Sequence, residues 1–190
     1  MGKLITQFHN TVEDIGQFLP VRPSNMTADF RRLLHHERHM TPTLRFHFDS
    51  PLGVEVVNSR HDTDRYQREI LLRRVTDGVA VEFGLLNADL ARLPDSLSAE
   101  LLAGKHPFGQ LIVDQRWQTS VSVDQLWRIE VGPALAAITA LSAGDITFGR
   151  LASIMIDSVP AIEVLEIILP DQSAEQRRQV ESRRIAKSWP

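Results

Sequence analysis

The sequence predicts an α+β fold in which helices lie on a single antiparallel β-sheet. Three observations predict it. Apolar and polar residues alternate over much of residues 43–90, which is typical of strands with one buried face. Asp77-Gly78 separates two such runs, and this pair is favoured in tight hairpin turns. The helical segments are grouped between the strands instead of alternating with them one by one, which favours an antiparallel sheet.

The first elements precede the hairpins. Residues 1–25 hold two short candidate elements and a proline-containing break. Thr27 is a suitable N-cap for a helix that we expect to run to about Glu37. After Pro42, which resists helix continuation, the alternation of Leu44, Phe46 and Phe48 with polar residues predicts a strand.

The later elements follow from the same periodicities. A short helix ends at Gly104, a residue favoured after the last helical turn. The remaining predicted helices and strands are given by residue numbers. We expect strands over about 54–57, 66–74, 79–87, 120–131, 146–156 and 161–169, and helices over 96–103, 108–114 and 133–141.

Composition limits the class of protein. A chain of 190 residues, 43% of them hydrophobic, is enough for one domain, which we place at 1–170, followed by a polar tail at 171–190 that is a solvated helix or a disordered extension. The net charge of −3 and the absence of a basic run argue against nucleic-acid binding. No apolar run is long enough for a membrane span, and no signal peptide is apparent. Since the chain also has no cysteine, we expect a soluble cytoplasmic protein.

Arg68 is the first candidate site residue. It lies in a predicted strand that is apolar through Ile70, Leu71 and Leu72, and arginine is rarely buried without a partner. Its planar guanidinium matches a carboxylate with two parallel hydrogen bonds. Arg68 is therefore either a clamp for a ligand carboxylate or one partner of a salt bridge at a strand end, with Glu82 as the candidate acid.

Glu166 is the second candidate. Alternation places it on one face with Val164 and Ile168, while Leu165 and Ile167 point to the other face. Burial would raise the pKa of such a carboxyl and a nearby arginine would lower it, which is typical of a site. A core ion pair is the alternative.

Two further segments carry weaker indications. Pro107 at a helix start leaves free backbone amides after it in the loop 104–109, which is either an anion site or an ordinary helix connection. His35 and His39 would share a helical face, as zinc ligands can. The order of residues matches no zinc motif and no third ligand follows by spacing, so we expect no metal site.

Taken as an ordered set, these segments resemble the chorismate pyruvate-lyase family, including a branch long catalogued as a family of unknown function. The resemblance covers roughly residues 28–170 and follows the family order of a short helix, a Met-Thr pair leading into a strand, an arginine strand, a helical flap and a closing strand with glutamate. Two departures are Phe108, where leucine is common, and Leu85, where some members carry arginine. The matching segments are Leu33-Leu34, Met40-Thr41, 66–70, 82–84, 104–109, 148–150 and 165–170.

The resemblance implies a fold, a reaction and a set of contacts. It implies helical flaps over an internal pocket, the conversion of chorismate to 4-hydroxybenzoate and pyruvate, and no metal or organic cofactor. Met40 and Phe108 would bind substrate through backbone amides, and Arg68 and Glu166 through side chains with catalytic roles. The product would feed quinone or aromatic natural-product synthesis, and the protein would be a monomer or a dimer.

Other functions remain open from the sequence. Effector-binding domains of some bacterial transcription regulators resemble the same fold, which makes a non-catalytic binder of aromatic acids or dicarboxylates the main alternative. About 25 residues precede the first matched helix, too few for a winged-helix domain. A lyase or hydratase acting on a related cyclic enol ether or aromatic acid, and an interaction protein with a vestigial pocket, are the remaining alternatives.

Overall fold

Seven antiparallel strands form one sheet in the computed structural model, which describes residues 1–170. The predicted polar tail lies outside the described residues. The strand order is β1-β5-β6-β7-β4-β3-β2. The α+β fold on a single antiparallel sheet is therefore confirmed. The strands are β1 (Gly16–Pro20), β2 (Leu52–His61), β3 (Arg65–Arg74), β4 (Ala80–Asp89), β5 (Thr119–Val131), β6 (Ile146–Ile156) and β7 (Val159–Ile168).

Strand β7 joins the two halves of the sheet. The predicted meander of β2, β3 and β4 lies on one side of it, and the paired β5 and β6 lie on the other. β7 pairs with β4 along one edge and with β6 along the other edge. Glu166 therefore lies in the middle of the sheet, directly opposite Gly84 on β4 and Arg150 on β6.

Helices cover both faces of the sheet. One face packs against α2, α3, α4 and α5, and we call it the pocket face. The other face packs against α1 and α6, and we call it the back face. The helices are α1 (Gly2–Ile5), α2 (Ala28–Leu34), α3 (Met40–Phe48), α4 (Asp95–Ala103), α5 (Phe108–Gln115) and α6 (Pro133–Ile138).

The prediction of a strand around residues 44–48 is wrong, because this segment lies in helix α3. Met40, Leu44 and Phe48 recur every four residues and share one helical face, with Met40 and Leu44 buried. Phe46, which completed the apparent alternation, is 92% exposed. Pro42 lies in the first turn, where a helix tolerates proline. The Met-Thr pair therefore begins a helix here instead of leading into a strand.

Helix α2 is shorter than predicted and ends at Leu34, with Thr27 at its N-cap as expected. The backbone carbonyls of His36 and Arg38 accept hydrogen bonds from the Arg150 guanidinium at 2.8 Å and 3.0 Å. These bonds hold the segment between α2 and α3 against the sheet in a non-helical course.

The other predicted elements agree with the structure to within a few residues. Gly104 ends α4 with a positive φ of 64°, a conformation that suits glycine. Within residues 1–170, no helix has the length and apolar composition needed to cross a bilayer.

Candidate active site

One pocket on the pocket face is lined by all four residues predicted for the site. Met40, Arg68, Phe108 and Glu166 all contribute to its wall. The space between the lining atoms, including the mouth, amounts to about 450 Å³. Half of the other lining residues have branched aliphatic side chains: Ile70, Leu72, Leu85, Leu86, Ile154 and Val164.

Arg68 is fully buried at the centre of β3. No acid pairs with its guanidinium within residues 1–170, and no hydrogen bond of ordinary geometry reaches its three nitrogens, although the Tyr66 side chain is near enough to interact with it. Burial lowers the pKa of Arg68, although the neighbouring Tyr66 opposes this shift. A cation in this condition is energetically costly unless an anion joins it.

The alternative partner for Arg68, Glu82, is out of reach in the sheet register. Arg68 lies opposite Leu86, whereas Glu82 lies opposite Leu72, four residues further along β3. No ion pair joins Arg68 and Glu82, so the strand-end salt bridge considered from the sequence is not formed.

Glu166 forms an ion pair with Arg150. The Nε atom of Arg150 donates to Oε2 of Glu166 at 2.5 Å, and the two residues are direct cross-strand neighbours. Since Arg150 also binds the carbonyls of His36 and Arg38, its guanidinium connects the floor of the pocket to the segment before α3. Glu166 thus combines the two alternatives, because it is both an ion-pair partner and a pocket residue.

Glu82 is a second acid in the pocket. Its side chain is only 3% exposed, and its Oε2 atom has no hydrogen-bond partner within the described chain. Burial raises the pKa of Glu82 well above its ordinary value, the negative charge of Glu166 adds to the rise, and Arg150 opposes it. The neutral carboxylic acid is therefore the favoured form.

Gly84 allows close packing at the floor of the pocket. It lies between Ile70 and Glu166 in one row across the sheet. A Cβ atom at this position would lie 3.0 Å from Cγ1 of Ile70 and 3.5 Å from Oε1 of Glu82. Ile70 therefore packs over this glycine, and a larger residue here would have to displace it.

Two helices begin at the pocket. Met40 is the first residue of α3 and Phe108 is the first residue of α5. The first amides of a helix lack intrahelical partners and carry the positive end of its dipole. The two helix ends pack closely, because a Cβ atom at Gly109 would lie 2.8 Å from Oγ1 of Thr41.

The histidines before α3 do not form the helical pair considered as zinc ligands. His35 follows the last residue of α2 and is exposed, so it does not share a helical face with His39. His39 lines the pocket, and its Nε2 atom lies 2.8 Å from Oγ1 of Thr119. Burial and the charge of Arg150 lower the pKa of His39. In the described part of the chain, no three His, Asp or Glu side chains converge as a metal site.

Sequence reasoning did not single out Arg150 or Glu82 as site residues. Both lie inside apolar strands, between Gly149 and Leu151 and between Val81 and Phe83. The criterion that selected Arg68 and Glu166, a charge within a buried strand, applies equally to them. Both residues belong to segments that match the family, and Glu82 is also the candidate partner of Arg68.

Comparison with known proteins supports the fold at low identity. The crystal structure of PhnF from Mycobacterium smegmatis matches with a TM-score of 0.51 and 15% sequence identity. The match covers 68% of this chain and 63% of that one, so the chain spans less than two thirds of that protein. No family model and no curated protein matches the sequence. The structural match is consistent with a chorismate lyase-like fold.

Proposed function

We propose that this protein is a chorismate lyase, which eliminates pyruvate from chorismate and leaves 4-hydroxybenzoate. The observation that carries the proposal is the buried guanidinium of Arg68, which faces a mostly apolar pocket without an acidic partner. The pocket also contains a second acid and two helix N-termini.

Arg68 binds one carboxylate of the substrate. A guanidinium forms two parallel hydrogen bonds with a carboxylate, and these charge-assisted bonds are stronger than neutral ones. Binding also removes the cost of leaving Arg68 buried and unpaired. Chorismate has two carboxylates, one on the ring and one on the enolpyruvyl group, so it can provide this partner.

The helix ends bind the second anionic group. Backbone amides at the start of α3 and α5, near Met40 and Phe108, lie at the pocket wall. Free amides and the positive end of a helix dipole favour an anion at this position. The apolar side chains between these polar groups suit the six-membered carbon ring.

The reaction requires a proton to leave C4 and the bond from C3 to the ether oxygen to break. Aromatisation of the ring supplies the driving force. Arg68 orients the ring by holding one carboxylate, which places the reacting bonds in a fixed position. Glu166 accepts a hydrogen bond from the C4 hydroxyl at Oε1, because Arg150 donates to its Oε2 atom.

A coupled assay tests the proposal. Purified protein is mixed with chorismate, 4-hydroxybenzoate is followed by chromatography, and pyruvate is followed enzymatically. We expect equimolar products, and we expect Arg68→Ala to lower kcat/KM by about a hundredfold or more because the substrate carboxylate loses its buried partner. Arg73→Ala is the matched control, since Arg73 is on the same strand but pairs with Glu55 at the surface.

The second candidate function is binding of an aromatic or dicarboxylic acid without turnover. One observation favours it: Glu166 is engaged by Arg150, and His39 is engaged by Thr119, which leaves few free groups to accept a proton. Saturable binding of 4-hydroxybenzoate by a protein that leaves chorismate intact would favour this function and refute the lyase.

A further inference from the structure

We propose that Glu82 is a further ligand-binding residue of this pocket, which stays a neutral carboxylic acid and donates a hydrogen bond to an oxygen of the bound ligand. The role of Glu82 applies to both candidate functions, because each of them requires a bound ligand. Its catalytic consequence rests on the proposed lyase activity.

Glu82 is buried in the wall of the pocket. The side chain lines the pocket and is 3% exposed, and Oε2 has no hydrogen-bond partner within residues 1–170. A buried polar atom without a partner is uncommon in proteins and indicates an unseen ligand, ion or water. The atom is buried on the wall that also carries Arg68 and Glu166.

The sheet register brings Glu82 close to Glu166. Glu82 lies opposite Ile168 and Gly84 lies opposite Glu166, so the two acids are diagonal neighbours on adjacent strands. Such neighbours are typically about 7–8 Å apart at the backbone, close enough for their side chains to influence each other. Arg150 already donates to Glu166, whereas no ion pair reaches Glu82 among the described residues, so Glu82 is the acid of the two that lacks a counter-ion.

The net charge of the pocket depends on whether Glu82 is protonated. Arg150 and Glu166 cancel, which leaves Arg68 as the single uncompensated charge if Glu82 is neutral. An ionised Glu82 would cancel that positive charge and repel an anionic ligand. Binding of an anion and protonation of Glu82 therefore support each other.

In the lyase reaction, the same proton has a use. The proton of Glu82 moves to the ether oxygen as the C3–O bond breaks, and the electron pair of that bond stays on the oxygen, which gives the enol of pyruvate. The C4 proton moves to Oε1 of Glu166, and the electrons of the C4–H bond form the third ring double bond. The enol then tautomerises to pyruvate, and transfer of the proton from Glu166 to Glu82 restores the starting state.

The test uses Glu82→Gln, which keeps a hydrogen-bond donor but has no proton to transfer. The matched control is Glu69→Gln, because Glu69 is also buried, at 1% exposed, but points to the back face. Circular dichroism and thermal melting establish that both variants are folded. Binding of 4-hydroxybenzoate is measured by calorimetry from about pH 6 to about pH 9, the range in which buried carboxyl groups can titrate.

We expect wild-type affinity to fall as the pH rises and Glu82 loses its proton. Affinity of Glu82→Gln should lack this fall, whereas Glu69→Gln should follow the wild type. Arg68, Arg150, Glu166, His39 and Tyr66 also face the site, and all of them remain in Glu82→Gln, so any pH dependence that they cause would persist there. The infrared carbonyl band of a protonated carboxyl group should be present in the wild type and absent from Glu82→Gln.

Turnover separates this proposal from the proposed function. If the wild type cleaves chorismate, Glu82→Gln should lower kcat by about a hundredfold or more, as loss of a general acid does. Unchanged turnover and an unchanged infrared band would refute the role of Glu82 and leave the lyase intact. A wild type that binds 4-hydroxybenzoate with the expected pH dependence but leaves chorismate intact would refute the lyase and retain Glu82 as a ligand contact. Absence of 4-hydroxybenzoate binding by the wild type would overturn the Glu82 proposal.

Discussion

Arg68 and Glu69 are adjacent in the sequence, equally buried and opposite in their surroundings. Glu69, on the back face, lies 2.7 Å from Nε2 of His9 and accepts a hydrogen bond from Nδ2 of Asn58 at 2.6 Å. Arg68, on the pocket face, has no acidic partner among the described residues, and its polar neighbour is Tyr66. Burial alone therefore does not separate a structural charge from a functional one. The difference lies in whether the protein itself supplies the partner.

The largest effect on the free energy of unfolding should come from replacing Glu69, the buried charge that has partners. Glu69→Met removes a buried carboxylate and leaves His9 and Asn58 without their partner. Removal of one member of a buried pair typically costs about 3–5 kcal/mol, and we expect a loss of that size in the free energy of unfolding measured in urea. Ligand affinity of the folded protein should not change. A loss below about 1 kcal/mol, the level typical of surface pairs, would remove the contrast between the two faces.

Replacing Arg68 should raise the free energy of unfolding instead of lowering it. Arg68→Met removes an unpaired buried cation and fills the space with apolar atoms. We expect a gain in the free energy of unfolding of about 1–4 kcal/mol in urea, together with loss of 4-hydroxybenzoate binding. Arg73→Met, at the surface of the same strand, should change stability by no more than about 1 kcal/mol. A destabilised Arg68→Met protein would mean that the chain provides a partner for Arg68 after all.

A smaller effect concerns the pH dependence of protein stability, to which His36 contributes. Burial and the charges of Arg150 and Arg38 lower the pKa of His36 from 6.5 to about 4. Since the unfolded chain binds this proton more readily than the folded one, stability should fall as the pH drops from about 6.5 towards about 4. Thermal melting of the wild type should therefore decline more steeply over this range than that of His36→Gln. Parallel curves would exclude His36 as the cause.

The sequence predicts most of the sheet because alternation and turn residues act locally. Strands β3, β4, β6 and β7 follow the expected boundaries closely, and the sides of the sheet on which Val164, Leu165 and Glu166 lie follow from alternation. The failure at α3 has the same origin. Met40, Leu44 and Phe48 form a helical stripe, and the exposed Phe46 made this stripe look like a strand.

The site is only partly predictable because charge pairing depends on the register between strands. The sequence indicates that Arg68 and Glu166 are buried charges on strands, and the structure places both at one pocket with Met40 and Phe108. It does not reveal that Arg150 lies opposite Glu166, or that Glu82 lies four residues away from Arg68 along the register. Those facts follow only from strand order, which is a long-range property.

Gly109 gives ligand selectivity a simple evolutionary route. The first turns of α3 and α5 approach so closely that a methyl group at residue 109 would also meet Cβ of His39 at 3.3 Å. Glycine and alanine codons differ by one nucleotide. A single point mutation would therefore push the two helix ends apart and, under the proposed function, change the size of anion that fits between them, while the strands that carry Arg68 and Glu166 stay the same.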